Sequence, residues 1–260
     1  MLVDTHCHLD AAEFAADRDA VIEAAKAAGV ALVVVPAVER AGFPRIEELC
    51  LQHACCFPAY GIHPLYVDRA LPEDLQVLRA TLAGHTAVAV GEIGLDFYVD
   101  GFDREGQEFY FCEQLKIARD FDLPVILHVR RAIDAVLKQL RRFKVKGGIA
   151  HAFNGSRQQA DEFIKLGFRL GFGGAMTYER ALRLRALAQT LPLEAIVLET
   201  DSPDIPPAWI GKGRNTPAEL PRIAEMLAHL RGESVEHVIC QTGRNAREVL
   251  PGLAATGIDA

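Results

Sequence analysis

The sequence predicts an α/β fold, a (β/α)₈ TIM-type barrel in a single domain over residues 1–260 with extra C-terminal helices. Three observations carry that expectation. Short apolar runs alternate with amphipathic stretches along the chain, eight such runs can be counted, and no low-complexity linker or composition break divides them. With 260 residues, half of them hydrophobic, the chain can also bury one large core.

The runs are Leu2–Asp4, Ala31–Pro36, Phe57–Ile62, Ala87–Val90, Pro124–Leu127, Gly148–Ala150, Phe168–Gly173 and Ile196–Leu198. Most are rich in Val, Ile and Leu without polar alternation, as parallel strands covered on both faces should be. Between the first two lies a helical pattern over Phe14–Ala28, with Phe14, Arg18, Val21, Ile22 and Ala25 at three- and four-residue steps, ending before Gly29. Glu105–Asp120, Arg131–Arg142, Ser156–Leu166 and Tyr178–Thr190 repeat the pattern. After the eighth run come a Pro- and Gly-rich loop, Ser202–Asn215, and two helices near Pro217–Leu230 and Ser234–Val249. Thr216 is the expected N-cap of the first, with Pro217 in its first turn and Glu219 completing a capping box.

In such a barrel the site forms where the strands end at their C-termini. The first strand ends in His6-Cys7-His8, the fourth in Gly91-Glu92, the fifth in His128, the sixth in His151 and the eighth in Asp201. A single histidine at a strand end is unremarkable; five strand ends offering nitrogen or oxygen ligands are explained together by one metal site. In an extended segment residues i and i+2 share a face, so His6 and His8 can reach one ion while Cys7 points away. Two divalent ions about 3.5–4 Å apart need an anionic bridge, and Glu92 is the candidate, since no lysine ends the fourth strand. Coordination lowers the pKa of water towards neutrality, a nearby carboxylate such as Asp201 can accept the remaining proton, and Arg130 is placed either to balance developing charge or to form a structural salt bridge.

The segments Asp4-Thr5-His6-Cys7-His8, Gly61-Ile62-His63-Pro64, Gly91-Glu92-Ile93-Gly94-Leu95-Asp96, Leu123–His128, Leu198–Pro203 and Arg214-Asn215-Thr216-Pro217, taken in order, resemble the signature set of TatD-type metal-dependent hydrolases of the amidohydrolase superfamily. The resemblance runs from about Leu2 to the helix containing Asn245. It implies that His6, His8, Glu92 and Asp201 hold one ion and Glu92, His128 and His151 a second, with Asp201 also orienting or deprotonating the attacking water. It gives His63 a substrate role, against the alternative of a loop cap before Pro64. Val129, Asn154 and Asp204 depart from the family's usual residues near the barrel mouth and touch none of the expected ligands.

The function implied is hydrolysis by a hydroxide held by two divalent metal ions: a deoxyribonuclease or other phosphodiesterase, of 3'-5' exonuclease type, acting on single-stranded DNA. The alternatives are a carbonyl substrate, such as a D-aminoacyl-tRNA ester, an amide or a lactone, and a non-enzymatic metal-binding scaffold. A His/carboxylate set leaves Mg²⁺, Mn²⁺, Zn²⁺ and Ni²⁺ open. The net charge of −7 argues against a broad basic surface for long nucleic acid, though not against a strand held at one end near bound cations. Trp209 is placed either to stack on a base or to pack as a lid, and the basic cluster Lys138–Lys146 reads as a solvated helix face. No secretory signal opens the chain and no apolar run spans a bilayer. The six cysteines show no CxxC spacing, so a cytoplasmic monomer with reduced thiols, and without a protein partner, is expected.

Overall fold

A computed structural model of the chain describes residues 1–101 and 103–254. Residue 102 and residues 255–260, the last of the expected 1–260 domain, lie outside the described residues. Eight strands form one sheet in sequential order: β1 (Leu2–Asp4), β2 (Val30–Pro36), β3 (Cys56–Tyr60), β4 (Ala89–Asp96), β5 (Val125–Arg130), β6 (Gly148–Ala150), β7 (Phe168–Phe172) and β8 (Ile196–Leu198). Every neighbouring pair is parallel. The first and last strands meet just above their ends: Thr5 N donates to Leu198 O (3.1 Å), Asp201 N to His6 O (2.8 Å) and His8 N to Ser202 O (2.8 Å). The barrel predicted from the sequence is therefore the barrel observed.

Helices alternate with the strands: α1 (Arg18–Ala27), α2 (Phe43–Gln52), α3 (Asp74–Gly84), α4 (Arg104–Asp120), α5 (Ile133–Phe143), α6 (Arg157–Lys165) and α7 (Leu182–Thr190), followed by α8 (Leu220–Arg231) and α9 (Val235–Val249). No helix among the described residues is long and apolar enough to cross a membrane. α6 opens on a full capping box, Ser156 with Gln159. α5 starts two residues later than expected because Arg131, at φ +53°, turns the chain out of β5 first.

The capping box expected at Thr216 does not form. Thr216 makes no side-chain cap, Pro217–Glu219 is a separate 3₁₀ turn, and α8 begins only at Leu220. Glu219 is committed elsewhere, its Oε2 accepting from Trp209 Nε1 at 2.6 Å, while Arg222 lies 4.3 Å over the indole. Trp209 is thus half-buried and held against α8, and it does not line the barrel cavity.

Strand alternation sorts the apolar side chains into two shells. Val3, Leu32, Val34, Phe57, Ala59, Ala89, Ile126, Ile149 and Val197 fill the barrel interior, and Ala246 of α9, with Leu250 and Leu253 just beyond it, packs against them. A larger outer shell, including Val33, Val90, Ile93, Leu127 and Leu198, packs under the helices. In β4 the register shifts between Val90 and Ile93, a bulge that resets the alternation. Beyond it Ile93 and Leu95 belong to the outer shell, which leaves Glu92 and Asp96 on the other face.

Candidate metal centre

Glu92, buried in β4, organises the site through its two oxygens, which face different neighbours. Oε2 lies 3.2 Å from His6 Nε2 and 3.6 Å from His8 Nε2; Oε1 lies 3.0 Å from His128 Nδ1 and 3.6 Å from His63 Nε2. Asp201 Oδ1 stands 3.6 Å from the Nε2 atoms of His6, His8 and His151. The His151 ring stacks on that of His6, centroids 3.7 Å apart. Three groups of donor atoms therefore lie within 4.8 Å of one another among the described residues: His6, Glu92 and His151; His6, His8 and Asp201; and His63, Glu92 and His128. All six expected ligands come together at one mouth. His63 stands beside His128, where the resemblance implied His151, and His151 stands beside His6.

The backbone here is built to hold this cluster. Asp4 accepts from His6 N (3.3 Å), Thr200 N (3.0 Å) and Thr200 Oγ1 (2.6 Å), tying the segment after β1 to the segment after β8. Asp201 occupies the left-handed region at φ +57°, a conformation that aspartate tolerates better than most residues and that recurs at functional sites. Asn215 Nδ2 donates to Thr200 O (2.8 Å) and Asp204 O (2.9 Å), fixing the loop beyond. Arg214 pairs with Asp17 at 2.6 Å, which fastens the same loop to the start of α1.

A cavity of about 880 Å³ opens over the cluster; its walls include His8, His63, Glu92, His128, His151 and Asp201. Val129, Arg130, Asn154 and Asp204 also line it, so the three departures noted in the sequence face the space a substrate would occupy. Arg130 forms no salt bridge among the described residues; its guanidinium lies 3.7 Å from the centroid of the Tyr98 ring.

A family model described as TatD related DNase matches residues 3–251. The chain belongs to the TatD-related DNase family. It is 39% identical over 239 residues to the uncharacterized metal-dependent hydrolase YjjV of Escherichia coli K12, covering 91% of this chain and 92% of that protein. The crystal structure of E. coli YjjV, described as a TatD homolog, matches with a TM-score of 0.93 and 37% identity, covering 96% of this chain and 98% of the other. A protein named 3'-5' ssDNA/RNA exonuclease TatD from Pantoea sp. is 32% identical over 257 residues, covering 95% and 98% of the two chains. The chain is accordingly a metal-dependent hydrolase of the TatD family.

The donor chemistry fits a cation at this TatD site. His128 has a carboxylate oxygen 3.0 Å from each ring nitrogen, Asp96 Oδ2 at Nε2 and Glu92 Oε1 at Nδ1, and a neutral ring can donate to only one of them, leaving the other nitrogen's lone pair facing a carboxylate. A lone pair facing a carboxylate requires a proton or a metal ion between them. His6 Nε2 and His8 Nε2, 3.2 Å apart, converge in the same way, and among the described residues no hydrogen-bond partner meets the buried His6 Nδ1. The titration of the cluster tells the same story. Burial would lower His151, but Glu199 and Asp201 outweigh it and raise it to about 10. The excess of carboxylates draws a proton to a place where a divalent ion would serve better. Burial pushes His63 down to about 3 and Asp201 up to about 6. Burial opposes ionisation of Glu92 too, yet His6, His63 and His128 hold it well below the usual carboxylate range.

Five supporting residues went unassigned in the sequence. Asp96 accepts from Tyr98 N (2.8 Å) and Val99 N (3.2 Å) while holding His128, and burial, which pushes it up, is overcome so that it sits at about 2. Glu199 Oε1 accepts from Ala152 N (2.6 Å) and lies 3.0 Å from His151 Nδ1, off the line of a good hydrogen bond. Such carboxylates orient ligand histidines and raise their basicity. Gly171 makes room for Glu199, since a Cβ there would fall 2.2 Å from Glu199 Oε2. From α4, Gln107 Oε1 accepts from Asp96 N (2.9 Å) and Gln114 brackets both backbone groups of Ile62 (2.7 and 3.0 Å), positioning the turn that carries His63. His63 Nδ1 accepts from Leu65 N at 3.1 Å, so His63 caps its loop and faces Glu92 at once.

Proposed function

We propose that the protein is a phosphodiesterase that shortens single-stranded DNA from its 3' end, using two divalent metal ions. The observation that carries this reading is the divided carboxylate of Glu92, one oxygen towards His6 and His8 and the other towards His128 and His63. That division suits a bridge between two ions. His6, His8, Glu92 and Asp201 would hold one and Glu92, His128 and His151 the other. When bound, such a pair supplies water activation near neutral pH and Lewis acidity at the attacking and leaving oxygens of an in-line displacement. The relative named 3'-5' ssDNA/RNA exonuclease supports the substrate class and the polarity.

The chain's own residues then have defined tasks. Asp201, raised by burial towards neutrality, accepts the proton of the attacking water. Asp96 and Glu199 keep His128 and His151 in the orientation and tautomer a ligand needs. His63, kept neutral by burial, offers its Nε2 to a non-bridging phosphate oxygen, and Arg130 places a fixed positive charge at the cavity wall.

The test is hydrolysis of end-labelled single-stranded DNA by metal-reconstituted protein beside Asp201→Asn. Metal-dependent stepwise shortening is expected, with turnover in the variant lowered about 10²–10⁴-fold and KM little changed. Metal-loaded protein that leaves both 3'- and 5'-labelled strands intact would overturn the reading and turn attention to carbonyl substrates such as D-aminoacyl-tRNA esters.

A further inference from the structure

Beside the metal cavity, and sharing Val129, Arg130 and Asn154 with it, lies a second groove of about 620 Å³. Its distinguishing feature is charge. Arg130 and Arg131 both lie over the Tyr98 ring, at 3.7 and 4.5 Å from its centroid, and Arg183 donates to Asn154 Oδ1 at 2.8 Å. None of the three guanidinium groups forms an ion pair with a carboxylate among the described residues. The groove's single carboxylate, Asp134, accepts instead from Gln159 Nε2 at 2.9 Å.

That arrangement stands out on a chain of net charge −7. Elsewhere Arg141 of α5 is neutralised by Glu162 (2.8 Å) and Lys146, between α5 and β6, by Asp122 (2.7 Å). The groove's arginines are held by an aromatic face and an amide, partners that fix a guanidinium without cancelling its charge. One of these holders, Asn154, is also one of the departures noted in the sequence. Asn154 anchors Arg183, and Arg131, just past the end of β5, takes a left-handed φ of +53° beside Tyr98. Held guanidinium groups lose little further freedom on meeting an anion, and they match phosphate oxygens in bidentate fashion.

We propose that this groove is a second anion site, which binds backbone phosphates of a single strand whose scissile phosphate lies at the metal centre. The inference rests on the phosphodiesterase reading above and extends it. The strand leaves the mouth past Arg130, and its next phosphates meet Arg131 and Arg183. The contacts go to the backbone and not to base edges, so they add affinity without sequence preference. A small phosphodiester confined to the cavity does not reach them.

The test compares wild-type holoenzyme with Arg131→Gln/Arg183→Gln on two substrates: a single-stranded DNA dodecamer and bis(p-nitrophenyl) phosphate. KM for the dodecamer is expected to rise about tenfold in the variant with kcat unchanged. The slope of log kcat/KM against log salt should flatten by about 1.4, the value for two phosphate contacts on a single strand. Hydrolysis of bis(p-nitrophenyl) phosphate should stay as in the wild type. An unchanged KM and salt slope for the dodecamer would overturn the groove and leave the phosphodiesterase standing. Equal losses on both substrates would also overturn it, since they would mark a general disturbance of the site. If metal-loaded wild type hydrolyses neither substrate, the phosphodiesterase reading falls and the groove proposal falls with it.

Discussion

The lower and upper halves of the barrel interior differ by one step along the same strands. Ile126, Ile149 and Val197 belong to the apolar interior layer; two residues on stand His128, His151 and Glu199. Alternation sends residues i and i+2 to the same face about 6.6 Å apart, so the polarity of the interior changes completely within that distance. Below, side chains fully withdrawn from water are braced by α9. Above, four carboxylates and five histidines are held against their own desolvation by mutual contacts. The lower layer supplies stability and rigidity, and the upper layer spends that rigidity on keeping unfavourable groups close together.

The comparison can be tested by disturbing each half separately. The largest effect on folding should come from below: Ile126→Ala, at a fully buried position, is expected to lower stability by about 2–5 kcal/mol while folded protein keeps its metal content. Denaturant unfolding with parallel metal analysis checks this, and a loss of metal from folded variant would show that the two halves are not separable. Next comes Asp96→Asn, which keeps the shape but weakens the hold on His128; metal affinity should fall about 10–100-fold with little change in the apo-protein's unfolding midpoint. Unaltered affinity in a competition titration would remove Asp96 from the site's support. The smallest effect is expected from His63→Ala, a rise in KM of about tenfold or less with metal stoichiometry retained. Loss of one metal equivalent in that variant would make His63 a ligand, as its place beside His128 allows.

Much of this was legible in the sequence, and the illegible parts have physical causes. Strands β1, β6 and β8 match their apolar runs because buried parallel strands need uninterrupted apolar residues. β4 and β5 run well past theirs, to Asp96 and Arg130, because the polar residues that build the site break the apolar signal exactly where the strand continues. α2 and α3 were not foreseen. Their buried faces are narrow, Phe43, Ile46 and Leu49 in one and Leu75, Leu78 and Leu82 in the other, and a proline stands in the first turn of the first (Pro44) and two residues before the second (Pro72). The six expected ligands were readable as strand-end residues. Asp96 carried a weaker signal, since Glu92, Gly94 and Asp96 share one face of an extended strand. Gln107, Gln114 and Gly171 carried none, because each acts across a contact that only the closed barrel creates. The Thr216 capping box failed for a similar reason: Trp209, ten residues earlier, claims Glu219.

The central claim is that one buried carboxylate serves two ions, and the direct test is the metal content of folded, reconstituted protein for the wild type and Glu92→Gln. Two equivalents per chain in the wild type, with both sites weakened in the variant, are expected. Two equivalents retained by Glu92→Gln with unaltered affinity would contradict the bridge and the account built on it.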